Sequence, residues 1–174
     1  MSDMKSIETR ITSLYVREDG VLVLDIKPNQ VFSKRDAEEV IAAAYAIGKG
    51  KKFKNLILVG EHTIADIEAV KLSCSEKGSI YKLADAFVIN SFPQRLIANF
   101  YMKVVKPITP TRFFTKCEDA EKWLAEVVAE KEAVVYLVGS ILFKRYFIPK
   151  FFMISLVFSF IGFEGIERFA GIFM

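Results

Sequence analysis

The chain has 174 residues, of which 52% are hydrophobic and 26% are charged, and its net charge is only +3. This length suits one domain with an extension, and the composition excludes a disordered chain. The small net charge argues against strong nucleic-acid binding, because the single basic cluster at residues 49–54 is typical of a solvated loop.

The two cysteines, Cys74 and Cys117, do not form a CxxC pair, and the only histidine, His62, is near neither of them at zinc spacing. The first ten residues are polar and charged, which is not the pattern of a secretory signal. We therefore expect no metal, no cofactor and a cytoplasmic location with reduced thiols.

The first elements in chain order are two strands. Residues 7–16 are predicted to form one strand, with an imperfect alternation of apolar residues. Asp19 and Gly20 predict a hairpin with a type I′ turn, in which both central residues have positive φ. Residues 21–26 are predicted to return as a strand apolar enough to be central in the sheet.

A helix is predicted to follow, capped by Ser33 with Asp36 three residues later. Its core face is predicted from helical spacing to contain Ala37, Val40, Ile41, Ala44 and Tyr45. Gly48 and Gly50 end this helix. Residues 55–59 are a continuous apolar run, which is typical of a parallel strand buried on both faces.

The second half of the domain repeats this alternation. Residues 66–76 are predicted to be helical and residues 84–89 to form a buried strand. The next helix, which runs to about residue 105, is predicted to bury Leu96, Ile97, Phe100 and Val104. A short strand at residues 111–114 precedes a helix that begins near residue 115 and carries Ala120, Trp123, Leu124 and Val127 at core spacing.

The order β-β-α-β-α-β-α-β-α predicts an α/β fold with a mixed, mostly parallel sheet. The first hairpin adds an antiparallel edge to the sheet, and the crossovers are expected to be right-handed. We place this domain at residues 1–131.

Residues 132–174 are predicted to be a separate apolar, Phe-rich extension, because residues 133–174 hold nine of the 16 Phe but only six charged residues. The extension has four interpretations: a transmembrane helix, a membrane-surface segment, a packed element of a homodimer interface, or a read-through end without selected function. The candidate membrane contacts are Lys144, Arg145, Lys150, Phe151 and Phe152.

Three stretches of the sequence resemble a bacterial STAS-like group (sulfate-transporter and anti-sigma-factor-antagonist type) of unknown function. They are the hairpin at 16–22, the helix ending at 48–53, and the segment 99–124 with its Asn-Phe-Tyr-Met-Lys, Lys-Pro and Pro-Thr-Arg-Phe-Phe-Thr motifs. The similarity covers residues 7–128. It implies a STAS-like fold and the binding of a kinase-like or membrane-protein partner rather than turnover of a substrate.

STAS regulators carry a phosphorylatable Ser in an Asp-Ser step after their third strand. The matching stretch here is residues 60–66, which has no Asp-Ser step, so that Thr63 is the regulatory candidate that the resemblance implies. Phosphate at Thr63 would lie at a helix N-terminus, where negative charge is favoured. The alternatives at this loop are an ordinary exposed loop with a capping Thr, or a catalytic pair of His62 and Glu61.

Ligands of open α/β sheets bind at the carboxyl ends of the strands, which predicts a binding edge here. Its candidate residues are Gly60, Glu61, His62, Asp66, Ser91 and Arg95. Ser91 and Arg95 open a helix that could hold an anion, or Ser91 is simply its cap. A group of aromatic and sulfur side chains is predicted to be mostly core and partly the lining of an apolar pocket: Phe100, Tyr101, Met102, Phe113 and Phe114.

We therefore expect a non-enzymatic regulatory domain that binds another protein and is switched by phosphorylation. The alternative is a protein that binds lipid or a membrane surface through an apolar pocket or through the extension. No nucleic-acid partner is expected, and a homodimer is a further alternative.

Overall fold

The computed structural model describes residues 6–127, in which eight strands and five helices are present. The strands are β1 (Ser6–Glu8), β2 (Thr12–Val16), β3 (Val21–Ile26), β4 (Val31–Phe32), β5 (Phe53–Val59), β6 (Ile64–Ala65), β7 (Lys82–Val88) and β8 (Thr111–Phe114). The helices are α1 (Lys34–Gly48), α2 (Ile67–Cys74), α3 (Glu76–Ser79), α4 (Phe92–Val105) and α5, which begins at residue 117 and includes residue 127, the last one described.

Six strands form one mixed sheet in the order β1-β2-β3-β5-β7-β8. The pairs β1–β2 and β2–β3 are antiparallel, whereas β3–β5, β5–β7 and β7–β8 are parallel. The predicted mixed, mostly parallel α/β sheet is therefore confirmed. A second, two-stranded parallel sheet of β4 and β6, which the sequence analysis did not predict, joins the loops that leave β3 and β5.

The first predicted strand, residues 7–16, is wrong as one element, because a turn divides it into β1 and β2. The hydroxyl of Thr9 donates to the carbonyl of Thr12 at 3.0 Å and accepts from its N–H at 3.1 Å. Side-chain bonds of this kind compete with the strand ladder and stabilise a turn. The chain therefore folds back, and β1 adds an antiparallel edge strand.

The hairpin between β2 and β3 forms where it was predicted, but its turn is not type I′. Gly20 has a φ of +80°, whereas Asp19 is not among the residues with positive φ. The N–H of Gly20 donates to the Arg17 carbonyl at 3.0 Å, and the Arg17 N–H donates to the Val21 carbonyl at 2.9 Å. This is a three-residue loop in which glycine takes the left-handed position.

Each face of the sheet is covered by different helices. On one face, α1 packs Val40, Ile41 and Ala44 against β2, β3 and β5, and its predicted capping box of Ser33 and Asp36 is present. Tyr45, predicted as core, is exposed, since it lies at the edge of that helical face. On the other face, α5 packs Ala120 and Leu124 against β3, β5 and β7.

The predicted core face of α4 is wrong. Phe92, Leu96, Phe100 and Val104 are between 56% and 63% exposed, and Ile97 is also exposed. The helix instead turns Gln94 and Tyr101 toward the rest of the domain. Because α4 is apolar over more than one face, helical periodicity alone did not identify which face is buried.

The domain boundary predicted at residue 131 and the extension 132–174, with its candidate membrane contacts Lys144, Arg145, Lys150, Phe151 and Phe152, lie outside the described residues. Within residues 6–127, no helix has both the length and the apolar character needed to span a bilayer.

Candidate functional site

The loops after β3 and β5 meet at the edge of the sheet where the sequence analysis placed its candidate binding residues. The N–H of Gly60 donates to the carbonyl of Ile26 at 2.9 Å, and the N–H of Asn29 donates to the carbonyl of Glu61 at 2.8 Å. A Cβ atom at Gly60 would lie 2.5 Å from the backbone nitrogen of Pro28. Glycine is therefore required at residue 60, because any side chain would force these two loops apart.

Thr63 connects the two loops at this edge and is buried, with only 3% of its surface exposed. Its hydroxyl donates to the Lys27 carbonyl at 2.6 Å and accepts from the Gln30 N–H at 3.1 Å. Both bonds join the loop after β5 to the loop after β3. A phosphoryl group could reach this oxygen only if the two loops separated, so phosphorylation of Thr63 stays a prediction that requires local opening.

The other predicted residues of the edge have different surroundings. Glu61 and His62 are exposed at the loop tip, where His62 has a left-handed φ of +59°. Asp66 caps α2, since its carboxylate accepts from the Ala69 N–H at 2.6 Å. Ser91 occupies the N-cap position of α4 but makes no side-chain capping bond.

Arg95 is partly buried in the first turns of α4. Its guanidinium carbon lies 5.9 Å from the centre of the Phe92 ring, a cation–π geometry. The edge therefore brings Thr63, Gly60 and the start of α4 together, and it leaves Glu61 and His62 as isolated surface groups.

Gln94 connects α4 to this edge, and the sequence analysis did not identify it. Its amide nitrogen donates to the carbonyls of Gly60 at 2.9 Å and Thr63 at 2.6 Å. Farther along the helix, the Tyr101 hydroxyl donates to the Ala65 carbonyl at 3.3 Å. A glutamine among the apolar residues of a helix was the available signal, but nothing nearby in the sequence indicated its partners.

A cavity of about 180 Å³ lies between the sheet and helices α1, α2 and α4. Most of its lining is apolar, and it includes three of the aromatic and sulfur residues that the sequence analysis assigned to core or pocket. These three are Tyr101, Met102 and Phe113. Of the other two, Phe100 is exposed, and Phe114 packs on Trp123 at the opposite face with a ring-centre distance of 5.7 Å.

A buried polar cluster of Lys82, Asp85 and Asn55 forms part of the cavity wall. The Lys82 ammonium donates to an Asp85 carboxylate oxygen at 2.8 Å, and the Asn55 amide nitrogen donates to the other at 2.7 Å. The ammonium also donates to the Ser73 carbonyl at 3.1 Å. Both charged side chains are at most 7% exposed, so each neutralises the other inside the protein.

A β-bulge explains why Lys82 and Asp85 share one face of β7. Residues three apart on a regular strand point to opposite faces. Here Phe53 pairs with Lys82 and Lys54 pairs with Ala84, which leaves Leu83 as an extra residue. Lys82 and Asp85 were not predicted as a pair, although an aspartate inside a buried strand was a signal that it needs a partner.

The ionisation of the groups around this cluster follows from burial and charge. Burial alone would lower the pKa of Lys82, but Tyr81 and Asp85 outweigh it and the pKa is raised. Burial raises the pKa of the Cys74 thiol, and Asp85 adds to this, whereas Lys82 opposes it. Cys74 therefore stays a thiol at neutral pH and is a poor nucleophile.

The exposed face of α4 forms an apolar stripe beside the edge. We call Phe92, Leu96, Phe100 and Val104 the α4 stripe; they are four residues apart and therefore lie along one side of the helix. Ile108, just after the helix, is also exposed. Among residues 6–127, no group of three or more His, Cys, Asp or Glu side chains could hold a metal ion.

Comparisons with known proteins identify the family to which the chain belongs. The comparison with curated proteins gave no match. Among solved structures, the chain is similar to an uncharacterized protein from the DUF3478 family with a SpoIIAA-like fold, from Shewanella loihica PV-4. The identity is 17%, the TM-score is 0.44, and the alignment covers 70% of this chain and 91% of that chain. A family model matches residues 14–128, and the chain thus belongs to the DUF7793 family, a domain of unknown function.

Proposed function

We propose that this domain is a non-enzymatic regulator that binds another protein through the α4 stripe. The observation that carries the proposal is the exposure of four large apolar side chains along one side of α4. An exposed patch of contiguous apolar residues on a folded domain is typical of an interaction site. The rest of the domain has two well-buried clusters, so the stripe is not a consequence of poor packing.

The charges near the stripe indicate which partner it would fit. The segment from residue 86 to residue 110, which contains α4, has three basic residues and no acidic one: Arg95, Lys103 and Lys106. A partner with an apolar surface flanked by Asp and Glu would complement both the stripe and these charges. We therefore propose an acidic protein surface as the occupant.

The contacts of α4 support a regulatory role for the binding edge. Gln94 ties the helix to the carbonyls of Gly60 and Thr63, and the Thr63 hydroxyl closes the loop beneath it. Opening of this loop, for instance by a phosphate on Thr63, would remove these bonds and release the start of α4. Partner affinity and the state of the loop are therefore proposed to be coupled.

Site-specific photo-crosslinking in cells of the native host tests the proposal. A benzophenone amino acid at Phe100 should give a discrete protein adduct, whereas the same group at Tyr45, another exposed aromatic residue on a helix, should not give that adduct. The partner is then identified by mass spectrometry and purified, and its Kd is measured with and without Leu96→Glu. We expect this change to weaken binding by about tenfold or more, as is common for central interface residues.

Added salt should weaken the complex further, because the basic residues around the stripe would face acidic ones. An adduct consisting only of lipid would indicate that the stripe binds a membrane surface and not a protein. Binding of the domain to anionic vesicles with the same dependence on Leu96 would indicate the same. The absence of any adduct that depends on Leu96 would contradict the stripe as a docking site.

A further inference from the structure

None of the four residues of the α4 stripe lines the cavity under α4. We propose that this cavity binds a small neutral molecule with an apolar ring and at least one N–H or O–H donor. The size of the cavity, the unpartnered acceptors and the charges of its wall support this assignment.

The cavity volume limits the size of the ligand. A cavity of roughly 150 Å³ lined by apolar side chains holds one benzene molecule. The present volume of about 180 Å³ therefore fits a molecule with one ring or two small fused rings. A phospholipid with two acyl chains would not fit entirely inside this volume. The wall includes Phe87, Tyr101 and Phe113, which can pack against a ring.

Two side chains of the cavity wall each carry a buried amide oxygen without a hydrogen-bond donor, and a donor on the ligand would satisfy them. Asn55 is 1% exposed and Gln94 is 7% exposed, and both side chains line the cavity. The amide nitrogen of each side chain is the atom that faces hydrogen-bond acceptors. These acceptors are the Asp85 carboxylate for Asn55 and two backbone carbonyls for Gln94. The remaining oxygens, Asn55 Oδ1 and Gln94 Oε1, have no hydrogen-bond donor among the described residues. A buried acceptor without a hydrogen-bond donor destabilises the folded protein.

The charges of the wall indicate that the ligand is neutral. Among residues 6–127, Lys82 and Asp85 are the charged residues that line the cavity, and they already bind each other at 2.8 Å. A charged ligand would lose its hydration without gaining a free opposite charge. Ile64 and Ile97 line the cavity and are also exposed, so they mark the point where the cavity reaches the surface, beside the binding edge.

Two isosteric probes test the proposal on the full chain: indole, which has an N–H donor, and indene, which does not. Binding is measured by saturation-transfer NMR and by the shift of the unfolding temperature. We expect indole to bind about fivefold more tightly than indene, because one additional buried hydrogen bond contributes roughly this factor. Benzoate, a charged ring of similar size, should bind more weakly than either probe.

Two variants on adjacent residues of α4 locate the probes. Ala98 lines the cavity, so Ala98→Phe should fill it and abolish binding of both probes. Asn99 is exposed, so Asn99→Phe adds the same ring outside the cavity and should leave binding unchanged. Circular dichroism verifies that both variants fold.

Asn55→Leu should reduce the affinity for indole to that for indene if Asn55 Oδ1 accepts the donor. Because Asn55 also binds Asp85, this variant is interpreted only if its spectrum is native; the comparison of indole with indene on the unmodified chain does not depend on it. The proposal is overturned if neither probe binds, if the two bind equally well, or if benzoate binds more tightly than indole.

Discussion

Both faces of the sheet have a buried apolar cluster, but around β7 the two faces are packed differently. On β7, Ala84, Ala86 and Val88 face α5, where the alanines are fully buried and the helix lies close to the sheet. The alternate residues Asp85 and Phe87 face the cavity under α2 and α4. Small residues allow close approach of a helix, whereas a buried ion pair and large rings on the other face leave space between side chains.

This difference indicates a division of roles. The α5 face is a tightly packed support, and the cavity face combines a buried charge pair, unpartnered amide oxygens and a helix whose outer side is exposed. Natural proteins depart from tight apolar packing chiefly at functional sites.

The buried ion pair should make the cavity face sensitive to loss of one charge. Lys82→Met would leave Asp85 buried without a cation, and breaking such a pair costs about 3–5 kcal/mol. Urea unfolding measures this loss. The double variant Lys82→Met with Asp85→Leu should recover at least half of it, because no unpaired charge remains. Equal stability of the single and double variants would contradict a tightly coupled pair.

The same substitution on the two faces should give different results. Ala120→Leu on α5 would overpack a fully buried position and should cost about 1–3 kcal/mol. Ala98→Leu on α4 extends into the cavity, so that its cost should be below about 0.5 kcal/mol or the change should be stabilising. Helix propensity differs little between Ala and Leu, which makes the pair matched. Equal costs would mean that the faces are packed alike.

The ion pair of Arg10 and Asp36 lies outside the cavity, in contrast to the pair of Lys82 and Asp85 in the cavity wall. Burial alone would raise the pKa of Asp36, but Arg10 and Ser33 outweigh it and lower the pKa from 3.8 to about 2. A carboxylate with a lowered pKa stabilises the fold above its ordinary pKa, and this contribution is lost as the pH falls toward 2. Asp36→Asn should therefore cost about 2 kcal/mol at pH 7 and progressively less between pH 5 and pH 2.

Unfolding free energies measured from pH 7 to pH 2 provide this test. Asp19→Asn is the matched control, because Asp19 also pairs with an arginine but is largely exposed and should contribute much less. A difference between wild type and Asp36→Asn that stays constant down to pH 2 would mean that Asp36 titrates normally.

Of the four sets of substitutions, those at Thr63 should have the smallest effect on stability. Thr63→Ala removes a buried hydroxyl that makes two hydrogen bonds, which costs about 1–2 kcal/mol. Thr63→Ser retains the hydroxyl and should recover most of the loss. Hydrogen exchange of the amides at 27–30 and 60–63 would show whether the loss is local. If Ala and Ser variants were equally stable, the hydroxyl would not hold the loops together.

Several elements were predictable because their signals are local. The capping box of Ser33 and Asp36, the buried apolar run of β5 and the glycine of the hairpin each depend on residues that are close in the sequence. The predicted order of strands and helices followed from these signals. The turn type was not predictable from Asp19 and Gly20 alone, since a three-residue loop with glycine in the left-handed position uses the same pair.

The candidate site was predictable only in outline. The sequence analysis placed candidate residues at the loop 60–66, because parallel strands place their following loops at one edge. It assigned a surface role to Thr63, whose hydroxyl is buried, and it missed Gln94 and Lys82. The partners of these residues lie more than 30 residues away or depend on a bulge in β7.

The alternation of strands and helices, the capping box of α1 and the buried parallel strands follow from local sequence patterns, because they depend on the spacing of neighbouring residues. Long-range packing instead sets which side of α4 is buried, which face of β7 carries Lys82, and which backbone carbonyls bind Gln94. A helix that is apolar on several sides has no intrinsic inner face. Its orientation follows from the groups that other elements present to it, and here these are the cavity wall and the carbonyls of the loop after β5.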